Sequence, residues 1–152
     1  MGNKIVVDAD ACPYKEEIIS LSEKYKIELF FVFSHSHISE YPRQVKTVVV
    51  DNHKEAADLA IANLISKGDL VLTQDYGLAA MVLAKQSLVL LTNGTIVDDH
   101  NIEQLLFFRH SSAKNRKKRV RIKGSGKLTQ ADRDRFVSAL EGTIKRMMEN
   151  SG

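Results

Sequence analysis

The alternation of short apolar runs with longer helical patterns is the feature that most constrains the fold of this chain. The apolar runs are four to seven residues long and rich in β-branched side chains, and amphipathic stretches follow most of them. This order is typical of βαβ units, in which each helical crossover returns the chain to the same end of a sheet. The sequence therefore predicts an α/β fold with a mainly parallel sheet.

Hydrophobic periodicity gives the predicted bounds of these elements. The predicted strands span residues 4–8, 27–33, 47–50, 70–73 and 88–91. The predicted helices span residues 13–25, 53–66, 76–84, 102–108 and 129–147. Pro13 is expected at the first helical position of the first helix, and Thr129 with Asp132 predicts a capping box at the start of the last one.

Length and composition favour one domain over residues 1–152, because 43% of the residues are apolar and can form a single core. No apolar run approaches the roughly 20 residues of a transmembrane helix, and the N-terminus lacks the apolar region of a signal peptide. The single cysteine, Cys12, cannot form an internal disulfide, which suits a reducing compartment. We therefore predict a cytoplasmic protein without membrane association, and the sequence is compatible with a homo-oligomer.

A basic segment interrupts an otherwise acidic chain. Residues 109–127 hold nine Lys or Arg and no Asp or Glu, so the remaining 13 basic and 19 acidic residues carry a net charge of −6. We predict a basic loop over residues 109–128, followed by a C-terminal helix over residues 129–149 that packs on the domain. The asymmetry indicates a polyanion such as nucleic acid as partner, and a solvated linker is the alternative. The candidate phosphate-binding residues are Arg116, Lys117, Lys118, Arg119, Arg121, Lys123 and Lys127.

Acidic residues follow several of the predicted strands. They are Asp8 and Asp10 after the first strand, Asp51 after the third, Asp75 after the fourth, and Asp98 and Asp99 after the turn that follows the fifth. Ligands of open parallel sheets bind outside the carboxyl ends of the strands, so these side chains could share one site. A single Asp at such a junction is also explained as a helix N-cap, and the hypothesis therefore rests on their convergence.

Asp58 adds a helical carboxylate to this set, because it flanks the apolar stripe formed by Ala57, Ile61 and Ile65. A carboxylate in that position requires a partner, and Lys54 one turn earlier is the simple alternative to a metal ion. Gathered carboxylates repel one another, and a divalent cation relieves the repulsion. Oxygen ligands favour Mg²⁺ or Mn²⁺, either of which could activate water against a phosphodiester.

Four segments together resemble the bacterial YaiI/YqxD family, an uncharacterised group with a fold similar to PIN and NYN nuclease domains. They are V-D-A-D-A-C-P at 7–13, A-A-D-L-A-I at 56–61, G-D-L-V-L-T-Q-D-Y-G-L-A at 68–79, and the acids near 98–101. The resemblance covers nearly the whole chain, and it implies a single Rossmann-like, PIN-like three-layer domain. It also implies metal-binding acids at the carboxyl edge of the sheet, as in PIN-like ribonucleases.

Carried over by position, the resemblance implies that Asp8, Asp58 and Asp75 are the catalytic acids of a Mg- or Mn-dependent ribonuclease-like enzyme. Thr73 would support them from the T-x-D motif, and Asp10 would be an auxiliary ligand or a hydrogen-bond acceptor behind the ligands. Asp98 and Asp99 both qualify as the fourth acid, and Asp99 is taken as the metal ligand. The implied substrate is nucleic acid, RNA in particular.

Two other functions are compatible with the same residues. Asp8-Ala9-Asp10 after the first strand also resembles the D-x-D motif of haloacid-dehalogenase-type phosphatases, in which the first Asp is the nucleophile. A non-catalytic RNA-binding or regulatory module would use the basic segment alone and keep the acids for structural reasons. RNA cleavage that depends on Asp8 and Asp75 distinguishes the nuclease from both.

Overall fold

The described part of the chain, residues 3–34, 41–107 and 128–151 of a computed structural model, alternates strands and helices in the predicted order. The strands are β1 (Lys4–Asp8), β2 (Glu28–Ser34), β3 (Val45–Val50), β4 (Leu70–Thr73), β5 (Leu88–Leu91) and β6 (Ile96–Val97). The helices are α1 (Lys15–Lys24), α2 (Lys54–Leu64), α3 (Tyr76–Leu83), α4 (described over residues 102–107) and α5 (Gln130–Ser151). A 3-10 turn, Ala9–Ala11, separates β1 from α1.

The start of α1 differs from the prediction. Pro13 was expected at the first helical position, but α1 begins at Lys15, with Tyr14 as its N-cap residue. The 3-10 turn occupies the residues directly after β1, and Cys12 is extended at φ −95° and ψ 118°. Extended backbone before a proline is the favoured conformation, because the proline ring clashes with a helical residue in front of it. Pro13 therefore belongs to the connection between the turn and α1.

The six strands form one sheet in the order β3-β2-β1-β4-β5-β6. All neighbouring strands are parallel except β5 and β6, which are antiparallel. From β1 the chain builds outward through β2 and β3 on one side, and it then crosses to β4 and β5 on the other. The boundary between β1 and β4 is therefore a topological switch point, the place where ligands bind in open α/β sheets.

Side chains of the strands alternate between the two faces of the sheet and build two cores. On β1, Ile5 and Val7 belong to the first core and Val6 to the second, and all three are fully buried. The first core contains α1 and α5, and the second contains α2 and α3, with Ile102 of α4 packed against it. The chain is thus a three-layer α/β/α structure with a mainly parallel sheet, as predicted.

The C-terminal helix α5 covers the first core with four buried apolar residues, Phe136, Leu140, Ile144 and Met147, spaced by three or four positions. Its predicted capping box is confirmed. The Thr129 hydroxyl accepts a hydrogen bond from the backbone N–H of Asp132 (3.1 Å), and the Asp132 carboxylate accepts one from the backbone N–H of Thr129 (2.9 Å). None of the described helices combines the length and the apolar character that spanning a membrane requires.

Candidate acidic site at the switch point

Thr73 connects the first strand to the acid that follows the fourth. β1 and β4 pair in parallel with Val7 beside Leu72, so Asp8 and Thr73 end the two strands at the same level. The Thr73 hydroxyl donates a hydrogen bond to Asp8 Oδ2 (2.9 Å) and accepts one from the backbone N–H of Asp75 (3.0 Å). Thr73 itself is buried. One hydroxyl therefore fixes Asp8 relative to the start of α3.

Asp75 is the N-cap residue of α3. This is the structural explanation given above for a single Asp between a strand and a helix. Its Oδ1 accepts hydrogen bonds from the backbone N–H groups of Gly77 (2.8 Å) and Leu78 (3.2 Å). The cap does not separate Asp75 from the other acids, because its charge contributes to the raised pKa of Asp8. Asp75 therefore has a structural role and a place in the acidic cluster.

The environment of Asp8 disfavours its charged form. Burial raises the pKa of Asp8 above its ordinary range, the hydrogen bond from Thr73 lowers it in part, and the charges of Asp58, Asp75 and Asp10 raise it further. None of the ion pairs formed by the described residues involves Asp8. Asp8 is thus a half-buried carboxylate next to three like charges, and its described hydrogen-bond donor is a neutral hydroxyl.

Asp58 lies on α2, which packs against the second core through Ala57 and Ile61. Its carboxylate is half-buried, and of the three acids it makes the largest contribution to the raised pKa of Asp8. The structure therefore brings this helical acid to the ends of β1 and β4. The side chain of Lys54, the alternative partner, is outside the described part of the chain.

Asp10 connects the 3-10 turn to the end of β2. Both of its carboxylate oxygens accept the backbone N–H of Ser34, at 3.1 and 3.2 Å. The side chain is exposed, and its charge also raises the pKa of Asp8. This contact with the β2 backbone is a positioning interaction, of the kind expected for an acceptor behind the ligands.

Asp98 and Asp99 differ in their surroundings. Asp98 accepts hydrogen bonds from the backbone N–H groups of His100 (2.9 Å) and Asn101 (3.0 Å), and Asn101 Oδ1 accepts from the backbone N–H of Asp98 (2.9 Å). These reciprocal bonds close the turn at residues 98–101, directly before α4. Asp99 is exposed, and neither residue is among the principal groups that shift the pKa of Asp8. The structure thus gives Asp98 a structural role and leaves Asp99 as a predicted ligand.

The donor chemistry of the acidic cluster, defined as Asp8, Asp10, Asp58 and Asp75, fits a hard divalent cation. All its side-chain donors are carboxylate oxygens, the ligands that Mg²⁺ and Mn²⁺ prefer. Across the described ranges, however, no three His, Cys, Asp or Glu side chains converge closely enough to hold an ion. Asp58 and Asp75 would have to move closer to Asp8 to form a coordination shell.

The structure also reveals two features that the sequence analysis missed. Asp69, before β4, is a buried acid paired with Lys4 (2.7 Å), which opens β1. A pocket of about 260 Å³ lies beside the acidic cluster and is lined in part by Gln74, Tyr76 and Asn93. No local sequence pattern indicates either feature. The strand order brings Asp69 next to Lys4, and it brings Gln74 and Tyr76 next to Asn93.

The predicted phosphate-binding residues lie outside the described part of the chain. Arg116, Lys117, Lys118, Arg119, Arg121, Lys123 and Lys127 all belong to residues 108–127. Their contact with nucleic acid therefore stays a prediction from the sequence.

Comparison with known proteins gives one family. Residues 6–146 match the DUF188 family model, described as "Uncharacterized BCR, YaiI/YqxD family". A UPF0178 protein of Oceanobacillus iheyensis is 49% identical over 135 residues, which cover 88% of this chain and 92% of the relative. A UPF0178 protein of Bacillus cereus (strain 03BB102) is 46% identical over 93% of this chain and 98% of its own. No solved structure matches the chain. The chain therefore belongs to the YaiI/YqxD family of uncharacterised bacterial proteins.

Proposed function

We propose that this protein is a Mg- or Mn-dependent ribonuclease-like phosphodiesterase whose cation is held by Asp8, Asp58 and Asp75. The observation that carries the proposal is the state of Asp8. This carboxylate lies half-buried at the switch point, burial and then three like charges raise its pKa, and no described residue forms an ion pair with it. Groups with such perturbed pKa values, placed in a crevice, are candidates for functional sites.

A divalent cation would remove the electrostatic disadvantage of this arrangement. Desolvation of a carboxylate and repulsion between neighbouring carboxylates both disfavour the charged form, and a bound cation reverses both effects. Asp58 and Asp75 are proposed to share the ion with Asp8 because, of the neighbouring acids, their charges raise its pKa most. Asp10 supports the cluster from the β2 backbone, and Asp99 is proposed as a peripheral ligand.

Thr73 and the backbone N–H groups at the start of α3 would orient the metal ligands and would not react themselves. Thr73 donates to Oδ2 of Asp8 and also accepts the backbone N–H of Asp75, so one hydroxyl contacts both acids. The cap on α3 holds Oδ1 of Asp75 against two backbone N–H groups. When bound, the cation would supply an activated water and neutralise charge on the phosphodiester.

Nucleic acid, and RNA in particular, is the proposed substrate because of the charge distribution. The acidic part of the chain would repel a polyanion, whereas nine Lys or Arg in residues 109–127 would attract one. Contacts from such residues to phosphates hold a strand without reading its sequence, and they weaken steeply with salt. The basic segment is therefore expected to bind the strand, and the acidic cluster to cut it.

Cleavage of single-stranded RNA in Mg²⁺ or Mn²⁺ tests the proposal. The wild type is compared with an Asp8→Asn, Asp75→Asn double variant, in which Asn keeps an acceptor for Thr73 and for the α3 cap. We expect cleavage to fall at least about 100-fold, since several kcal/mol of charge stabilisation are lost. Asp51→Asn is the matched control, because Asp51 is exposed after β3 and is not part of the cluster.

Absence of cleavage by the wild type, or equal cleavage by the double variant, would overturn the proposal. If the protein binds RNA without cleaving it, and if neutralising the basic residues within 116–121 abolishes that binding, the non-catalytic module is supported instead. Hydrolysis of a small phosphomonoester without RNA cleavage would support the phosphatase.

A further inference from the structure

A pocket of about 260 Å³ opens beside the acidic cluster, at the carboxyl ends of β4 and β5. Its walls come from four separate segments of the chain. Gln74 and Tyr76 flank Asp75 in the sequence, Asn93 lies in the turn after β5, Pro13 precedes α1, and Leu128 precedes α5. Because β4 neighbours both β1 and β5, the pocket and the end of β1 lie at the same edge of the sheet.

The lining combines an aromatic ring with side-chain amides. Tyr76 is half-buried and packs against the second core, which limits the movement of its ring. The Oδ1 atom of Asn93 accepts the backbone N–H of Thr95 (2.9 Å), so its remaining polar group is the amide NH₂, a donor. Gln74 is exposed and adds a second side-chain amide to the lining. Pro13 and the 57% exposed Leu128 add apolar surface.

We propose that this pocket binds one nucleobase of a single-stranded nucleic acid, with Tyr76 as the stacking surface and Asn93 as a hydrogen-bonding group. Proteins recognise unpaired bases by stacking them on aromatic rings and by hydrogen bonds to the base edges. The NH₂ group of Asn93 selects an acceptor on the base, such as a carbonyl oxygen. This inference rests on the proposed function for its phosphodiester, but binding of the base is measured without cleavage.

The size and position of the pocket support a single base. A volume of about 260 Å³ is below the roughly 300–1,000 Å³ of pockets that enclose drug-sized ligands. Leu128 directly follows Lys127 in the sequence, so the basic segment joins the described fold at the rim of the pocket. A strand attracted by that segment would thus place a base in the pocket and an adjacent phosphate near the acidic cluster.

Fluorescence anisotropy of a labelled uridine decamer, in an Asp8→Asn background with EDTA, measures binding alone. Tyr76→Leu keeps apolar volume but removes the ring, and we expect it to weaken binding about 5- to 150-fold, the range for loss of one stacked base. Tyr76→Phe keeps the ring and should change binding less than about twofold. Asn93→Asp keeps the acceptor for Thr95 but replaces the donor with a negative charge, so it should weaken binding further than Tyr76→Phe does.

Two controls separate base recognition from charge and from stability. A ten-residue oligomer with the same phosphates but abasic sugars should bind Tyr76→Leu and its parent equally. Phe107→Ala removes an aromatic ring that is 67% exposed on α4 and outside the pocket, and it should bind the uridine decamer like its parent. Thermal unfolding of each variant establishes that it is folded before binding is compared.

The outcomes distinguish this inference from the proposed function. If folded Tyr76→Leu binds the uridine decamer as tightly as its parent, or if the parent does not bind it, the base pocket is wrong. RNA cleavage by the wild type alongside such a result would leave the phosphodiesterase standing. Binding that depends on Tyr76, together with no cleavage in Mn²⁺, would keep the pocket and overturn the phosphodiesterase.

Discussion

The two ends of the β1–β4 strand pair each hold an aspartate, and the two aspartates have opposite surroundings. At the amino end, buried Asp69 accepts hydrogen bonds from Lys4 Nζ (2.7 Å), the Lys4 backbone N–H (3.1 Å) and the Ser66 backbone N–H (2.7 Å). At the carboxyl end, half-buried Asp8 has the Thr73 hydroxyl (2.9 Å) and three neighbouring carboxylates. One charge is compensated and the other is not.

This difference separates a structural acid from a candidate functional one. A buried charge is tolerated when it is paired and hydrogen-bonded, and the contacts of Asp69 meet both conditions. For Asp8, the fold keeps an acid where burial and like charges oppose its ionisation. Such an arrangement lowers stability in the cation-free protein, and a bound cation is the partner that would correct it.

The largest change in stability is expected from substitution of Asp69, at the amino end of the strand pair. Asp69→Asn leaves the Lys4 ammonium, whose side chain is 17% exposed, without its counter-ion, and it places an amide NH₂ against donors. We expect the free energy of unfolding to fall by about 3 kcal/mol, as in other broken buried ion pairs. Urea denaturation measures the loss. Adding Lys4→Met should recover part of the lost stability. Equal stability of Asp69→Asn and wild type would show that the two aspartates do not differ in this way.

A bound divalent cation should compensate the charge of Asp8, as Lys4 compensates the charge of Asp69. A cation that binds only the folded state, at ten times its dissociation constant, raises the free energy of unfolding by about 1.4 kcal/mol. We expect Mn²⁺ to produce this shift in wild type and in Asp51→Asn, and not in Asp8→Asn. Calorimetric titration with Mn²⁺ gives the dissociation constant. A shift of equal size in Asp8→Asn would place the binding elsewhere.

An Asp→Asn substitution at the carboxyl end should change the free energy of unfolding in the opposite direction. Asp8→Asn removes a disfavoured charge and keeps an acceptor for Thr73, so we expect about 1 kcal/mol of added stability at neutral pH in EDTA. Urea denaturation of both variants in one buffer compares the two ends directly. Destabilisation by Asp8→Asn would mean that Asp8 is compensated in the folded protein.

The gain from Asp8→Asn should disappear in acid. The pKa of Asp8 is raised above the value of about 3.9 found in unfolded chains, so the folded state binds more protons than the unfolded state between the two pKa values. The free energy of unfolding of wild type therefore falls as the pH rises through this window. The difference between Asp8→Asn and wild type should be near zero at about pH 3.5 and full above the raised pKa.

Denaturation of both proteins across this pH range measures the difference, and most other acids cancel in the comparison. A difference that stays constant with pH would exclude ionisation of Asp8 as its cause.

Local patterns predicted the elements that local interactions determine. The bounds of β1, β4 and β5 agree with the predicted strands because buried parallel strands are continuous apolar runs. The two-residue strand β6 was not predicted, since it is too short to show periodicity. The helical position of Asp58 beside an apolar stripe was predicted from its spacing, and its effect on the pKa of Asp8 agrees with a place near the strand ends.

Features that depend on the strand order were not predicted. The partner of Asp69 is 65 residues away in the sequence, and nothing in either segment indicates the other. The pocket beside Asp75 is formed by separate segments with no shared pattern. The different surroundings of Asp98 and Asp99 also needed side-chain geometry, because only the hydrogen bonds show that Asp98 closes the turn before α4.

The separation of 65 residues between Asp8 and Thr73 has a consequence for protein synthesis. At translation rates of about 5–20 residues per second, the ribosome adds Thr73 roughly 3 to 13 seconds after Asp8. During that interval β1 can pair with β2, but neither Thr73 nor Asp75 exists to complete the acidic cluster. A nascent chain of this protein is therefore without its candidate site until the central strand pair has formed.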